Sequence, residues 1–142
     1  MNNEFSKWLD ENGLEELITT NAGDAVYVNR EKKFAVLKKH GDTNAVSFYL
    51  EDVSEIKAYD DENLVAEWNR INPLSKRERS TRFSTNEAYV KIYLNNQDVL
   101  RVQIFRAKNG NIPRNSNGHI NLVGYSIQVT RIICDAVVEA DK

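Results

Sequence analysis

Residues 88–105 constrain the fold more than any other stretch of the chain. AYVKIYL (88–94) and VLRVQIF (99–105) each alternate with a period of two, and a short polar link, Asn95 to Asp98, separates them. Side chains leave a strand on opposite faces in turn, so this alternation specifies two half-buried strands joined as an antiparallel hairpin. Val90, Ile92 and Leu94 share one face, as do Leu100, Val102 and Ile104 of the partner; Tyr89, Lys91 and Tyr93 point the other way. A hairpin with one apolar face needs a second layer to cover it.

The rest of the chain supplies that layer. Strands are predicted at Ala25–Val28, Phe34–Leu37, Val46–Leu50, Val53–Tyr59 and Leu64–Trp68, separated by turns such as His40-Gly41-Asp42 and the acidic Asp60-Asp61-Glu62-Asn63. With the late hairpin this makes about seven strands. Residues 70–82, RINPLSKRERSTR, contain Pro73 and few apolar residues and read as a loop. A second loop covers AKNGNIPRNSNG (107–118). The chain then closes in a helix over 120–140, with Val123, Ile127, Val129, Ile133, Ala136, Val137 and Ala140 on a broad apolar stripe. At the other end, residues 1–20 read as a short helical segment. Phe5, Trp8 and Leu9 form one stripe, Asn12-Gly13 a stop, and Leu14, Leu17 and Ile18 a second turn of helix. Trp8 and Trp68 are expected in the core or between the first helix and the sheet.

Strands followed by a helix, without βαβ alternation, argue against a parallel doubly wound sheet. The expected fold is α+β: an antiparallel β-sandwich or partly open barrel of about seven strands, capped by a C-terminal helix. At 142 residues, without repeats or a low-complexity linker, a single domain over 1–142 is expected, its strands spanning 25–106.

Composition then removes function classes. A net charge of −2 does not fit a polycationic nucleic-acid packager. No apolar run approaches the roughly 18 residues that span a bilayer. The N-terminal MNNEFSKWLDEN lacks a basic start followed by an apolar stretch, so a cytoplasmic setting is expected. One cysteine permits no intrachain disulfide. Charge is uneven, however: residues 1–24 carry a net of −5 and residues 70–108 a net of +6.

Phe48-Tyr49-Leu50-Glu51-Asp52-Val53 followed by Ile56 to Tyr59, the hairpin of Tyr89 to Phe105, and the closing amphipathic helix together resemble a bacterial PH-like domain. The type is the pleckstrin-homology-like fold found beside SHOCT segments in Gram-positive proteins. The resemblance covers about residues 25–140. It implies a binding scaffold and brings no active-site residues. Related chains often carry a Gly/Ala-rich apolar insertion where this one has RINPLSKRERSTR, so membrane association does not carry over.

The residues themselves offer little catalysis. His40 and His119 are far apart, and Cys134 lies in the apolar helix, a thin supply for zinc; no metal or cofactor is expected. There is no G-x-S-x-G elbow and no phosphate-binding glycine loop. Carboxylates in hairpin turns, such as Asp60-Asp61-Glu62 and Glu51-Asp52, read as solvated. Two binding candidates remain. Arg70, Lys76, Arg77, Arg79 and Arg82 form a basic loop able to meet phosphate, anionic lipid or an acidic protein surface, or to stay solvated. Tyr89, Lys91 and Tyr93 form an aromatic strand face, either a stacking platform or the cover of a half-buried sheet.

The expected function is that of a non-catalytic module recognising a protein or peptide, for instance an accessory protein of a bacterium, phage or mobile element. The alternative is an anion-binding module that uses residues 70–82 on nucleic acid or a phospholipid headgroup.

Overall fold

The computed structural model describes residues 3–76, 84–107, 112–113 and 117–142. Helix α1 (Asn3–Glu11) is followed by strands β1 (Glu15–Thr19), β2 (Ala25–Asn29), β3 (Phe34–Lys38) and β4 (Ala45–Tyr49). A single 3-10 turn, Leu50–Asp52, leads to β5 (Val53–Asp60), β6 (Asn63–Asn69) and the two-residue β7 (Ser75–Lys76). Then come β8 (Ser84–Thr85), β9 (Glu87–Leu94), β10 (Val99–Arg106), β11 (Ile112–Pro113) and helix α2 (Asn117–Ala140).

The strands form two larger antiparallel sheets and one two-stranded pair, and among the described residues no barrel closes. The first is a meander, β1-β2-β3-β4; the second has the order β10-β9-β5-β6-β7, and β11 pairs with β8. The second sheet is not a meander, because the β9–β10 hairpin docks with β9 beside β5. Val26, Val28, Ala35, Leu37 and Phe48 of the first sheet share one core with Ile56, Val90, Ile92, Val102 and Ile104 of the second. Helix α2 packs on β5, β6, β9, the 3-10 turn and β1, and adds Val129, Ile133 and Val137 to that core.

Helix α1 covers the outer face of the first sheet through Leu9 and Phe5, which pack with Leu14, Val36 and Tyr27. Both faces of β2 and β3 are thereby buried, which is why their sequences read as continuous apolar runs rather than alternating ones. Among the described residues the outer face of the second sheet carries no such cover, and β5 and β9 alternate in sequence. Trp68 is buried, while Trp8 stacks on Phe5 and stays partly exposed.

Asn12-Gly13 stops α1 as expected. Leu14 N–H donates to the Leu9 carbonyl (2.9 Å) and Gly13 N–H to that of Asp10 (3.2 Å), the paired bonds of a Schellman cap, with Gly13 at φ +65°. The segment after it corrects the sequence reading: residues 15–19 are a strand, not a second helical turn. Five residues cannot sustain a helix alone, whereas pairing with β2 satisfies their backbone. A β-bulge between Glu16 and Ile18 puts Leu17 and Ile18 both against the core, which imitates helical spacing. Strands of five residues or more therefore number eight among the described residues, not seven. The loop predicted over 70–82 contains β7, which pairs with β6, and α2 begins at Asn117 rather than near 120.

The acidic turn is also corrected. Asp60 and Asp61 are buried, not solvated. Asp61, at φ +53°, accepts hydrogen bonds from the backbone N–H groups of Asn86 (3.0 Å) and Glu87 (3.1 Å), fixing where β9 starts.

Candidate functional site

The two expected binding candidates fare differently. Arg77, Arg79 and Arg82 lie outside the described residues, and of Lys76 only the backbone, in β7, is described. Arg70 is committed to the fold. Its Nε donates to the Val53 carbonyl (2.8 Å), its Nη2 to those of Leu50 and Glu51 (3.0 Å each), and its Nη1 to Asp141 beyond the end of α2. It ties the 3-10 turn to the residue after α2, and four of its five N–H groups are engaged in doing so. Ile71 beside it is 91% exposed, on a turn held by the Asn69 side chain, which accepts from Ile71 and Asn72 N–H.

Tyr89, Lys91 and Tyr93 do share the outer face of the second sheet. Tyr59 of β5 stacks on Tyr89 (centroids 5.3 Å, 19° between planes), and its hydroxyl lies 3.5 Å from that of Tyr93. Cations sit over these rings: Lys57 over Tyr93 (5.4 Å), Lys91 over Tyr59 (5.5 Å) and Arg101 over Tyr89 (3.6 Å). Arg101 also pairs with Glu87 and donates to Gln103 Oε1 (3.1 Å). Tyr89 is buried beneath this layer, so the face is not an open stacking platform. Burial pushes the phenols of Tyr89 and Tyr93 above their ordinary range, and the Tyr59 hydroxyl reinforces this at Tyr93. Both remain neutral donors at any physiological pH.

A third surface emerges that the sequence reading did not resolve. Strand β4 is one edge of the first sheet and β10 one edge of the second. Between them opens a cleft of about 410 Å³, lined by Phe34 and residues 46–49, by Asp52 and Leu94, and by Asn96, Asp98 and Leu100. Register explains its lining. Val46 lies opposite the inward Leu37, and Leu100 opposite the inward Ile92, so both belong to the inner faces of their sheets. At this edge Val46 nevertheless reaches solvent, at 48% exposure. Among the described residues the lining has two carboxylates, Asp52 and Asp98, and no base.

β4 is also chemically unusual among the edges of the two larger sheets. β1 carries Glu15 and Glu16, β7 Lys76, and β10 Arg101 and Arg106; β4, Ala-Val-Ser-Phe-Tyr, has neither charge nor proline. Charges and prolines are the usual guards against strand addition. The signal was in the sequence, but only the topology shows that this strand is an edge.

A polar hub closes the opposite part of the sandwich. Asp24 is buried; its carboxylate accepts from the backbone N–H of His40 and of Gln103 (2.8 Å each) and from Lys39 Nζ (2.5 Å). Thr20 Oγ1 donates to the Gln103 carbonyl (2.5 Å). Gly23, at φ +92°, is required here, since a Cβ would lie 2.5 Å from His40 Nδ1.

Cys134 is buried, and burial pushes its thiol up to about 12, with Asp135 adding to the effect. A thiol stays a thiol there, so it is not a nucleophile in the native state. Native protein is expected to resist a thiol reagent at pH 8, and Cys134→Ala is expected to cost about 1 kcal/mol. The raised value also means that stability falls as pH climbs above the ordinary 9.0 toward 12. Rapid labelling of folded protein would contradict this.

Among the described residues no group of three or more His, Cys, Asp or Glu side chains could hold a metal ion, and no helix is long and apolar enough to cross a membrane. No family model, curated protein or solved structure matches the chain.

Proposed function

We propose that the protein is a non-catalytic binding module that captures an extended peptide segment of a partner protein by strand addition to β4. The observation that carries this reading is the unguarded edge bordering the apolar cleft. Strand addition satisfies the outward backbone groups of an edge, and pockets for alternate side chains supply selectivity. Here an apolar side chain of the peptide enters between Val46 and Leu100. Asp52 and Asp98 favour a lysine or arginine beside it. The order of strands then closing helix, which carries the resemblance to PH-like domains, supports a scaffold role; a bacterial, cytoplasmic accessory protein is the setting we infer.

The test is selection of random peptides on the purified protein. Enriched sequences are expected to alternate apolar residues with at least one base. Val46→Lys, at a half-exposed position, is expected to leave the melting temperature nearly unchanged and to weaken those peptides at least tenfold, about 1.4 kcal/mol. Peptides without that pattern, or equal binding by the variant, would overturn the reading.

A further inference from the structure

We propose that the outer face of the second sheet holds a compact phosphoryl group, centred on Lys91. The register sets Lys57 directly opposite Lys91, and Lys91 directly opposite Arg101. Three cations therefore stand in one row on three adjacent strands, with strands about 4.8 Å apart. Like charges placed directly opposite one another across strands are destabilising. The outer two have local relief: Lys57 lies 3.7 Å from Glu55, and Arg101 pairs with Glu87. Lys91 rests on the rings of Tyr59 and Tyr89, at 5.5 and 5.9 Å, and among the described residues makes no ion pair.

An oxyanion above the row removes the repulsion and meets two kinds of donor. The ammonium groups and the guanidinium supply charge. The neighbouring hydroxyls of Tyr59 and Tyr93 supply neutral O–H groups. A phosphoryl group suits this better than a carboxylate, because it carries close to two charges and three acceptor oxygens. The surroundings limit its size. Glu55, Glu67 and Glu87 lie on the same face, opposite or beside the row, and would repel the continuation of a long polyanion. The ligand class is thus a small phosphorylated molecule, and the site is independent of the β4 cleft.

Melting temperature read against added inorganic phosphate and pyrophosphate tests this, with sodium chloride at matched ionic strength as control. Lys91→Gln is the variant, and Lys57→Gln a second one should the first misfold. Wild type is expected to gain about 3 °C or more near saturation, and pyrophosphate more than phosphate. Either variant is expected to lose most of that gain without melting lower in ligand-free buffer. A single-stranded oligonucleotide is the remaining arm, and a weaker effect is expected from it. The proposal is overturned if chloride reproduces the gain, if the variants keep it, if no phosphate probe produces one, or if the oligonucleotide acts more strongly than pyrophosphate.

Discussion

Asp24→Ala is expected to lower the free energy of unfolding by about 2–4 kcal/mol, because it removes a buried acceptor that three donors share, Lys39 among them being only part-buried. The substitution strips two backbone N–H groups, those of His40 and Gln103, of their acceptor and leaves Lys39 without its carboxylate. Those groups belong to the β3–β4 turn and to β10, so the loss parts the two sheets. Against a typical total of about 5–15 kcal/mol, that is a large share of the stability, read as a clear drop in melting temperature. The wild-type pH profile gives an independent check. Burial works against ionisation of Asp24, but Lys39 and the two N–H donors outweigh it and hold the carboxyl below 3.8. A lowered value stabilises the native state fully above 3.8 and less as pH falls through the native value. Denaturant titrations from pH 5 to pH 2 should show that loss in wild type, and Asp24→Asn should lack much of it. A variant as stable as wild type would show that the hub contributes nothing.

The second large effect is expected from deleting residues from 120 onward. This removes Leu122, Val129, Ile133, Cys134 and Val137 from the core, and the buried Ala136 beside them. Burying a Val, Leu or Ile side chain contributes about 1.5–3 kcal/mol, so the four largest together match the stability of a whole domain. The ties from Arg30 to Glu139 and from Arg70 to Asp141 go as well. The remaining strands should collapse without fixed packing, keeping far-ultraviolet circular dichroism and binding a hydrophobic dye. A sharp thermal transition in the truncated chain would refute an integral role for α2.

The parts of this fold that were legible in the sequence are those where one physical rule acts alone. β9 and β10 were readable because polar and aromatic side chains rather than a packed apolar layer cover their outer face, so alternation survives in AYVKIYL and VLRVQIF. Asn12-Gly13 was readable because a helix stop depends on local backbone conformation. Leu17 and Ile18 misled because a bulge, which is a property of pairing, placed two neighbours on one face. Asp61 and Arg70 misled for a related reason. Each is a charged residue in a turn-rich stretch whose partners are 17 to 71 positions away, and no local pattern announces them. The face of Tyr89, Lys91 and Tyr93 was foreseen, but not the cross-strand row with Lys57 and Arg101. Which strands end as edges, and hence where the cleft lies, depends on how two sheets assemble.

The uncharged edge of β4 also sets a colloidal limit. Two molecules can meet there as readily as a molecule and a peptide, because an edge offers the same hydrogen-bond ladder to any extended backbone. Solutions of the free protein should therefore have a concentration ceiling governed by five residues, 45–49, rather than by net charge. Occupation of that edge would raise the ceiling, so whatever fills it acts as a solubiliser as well as a ligand.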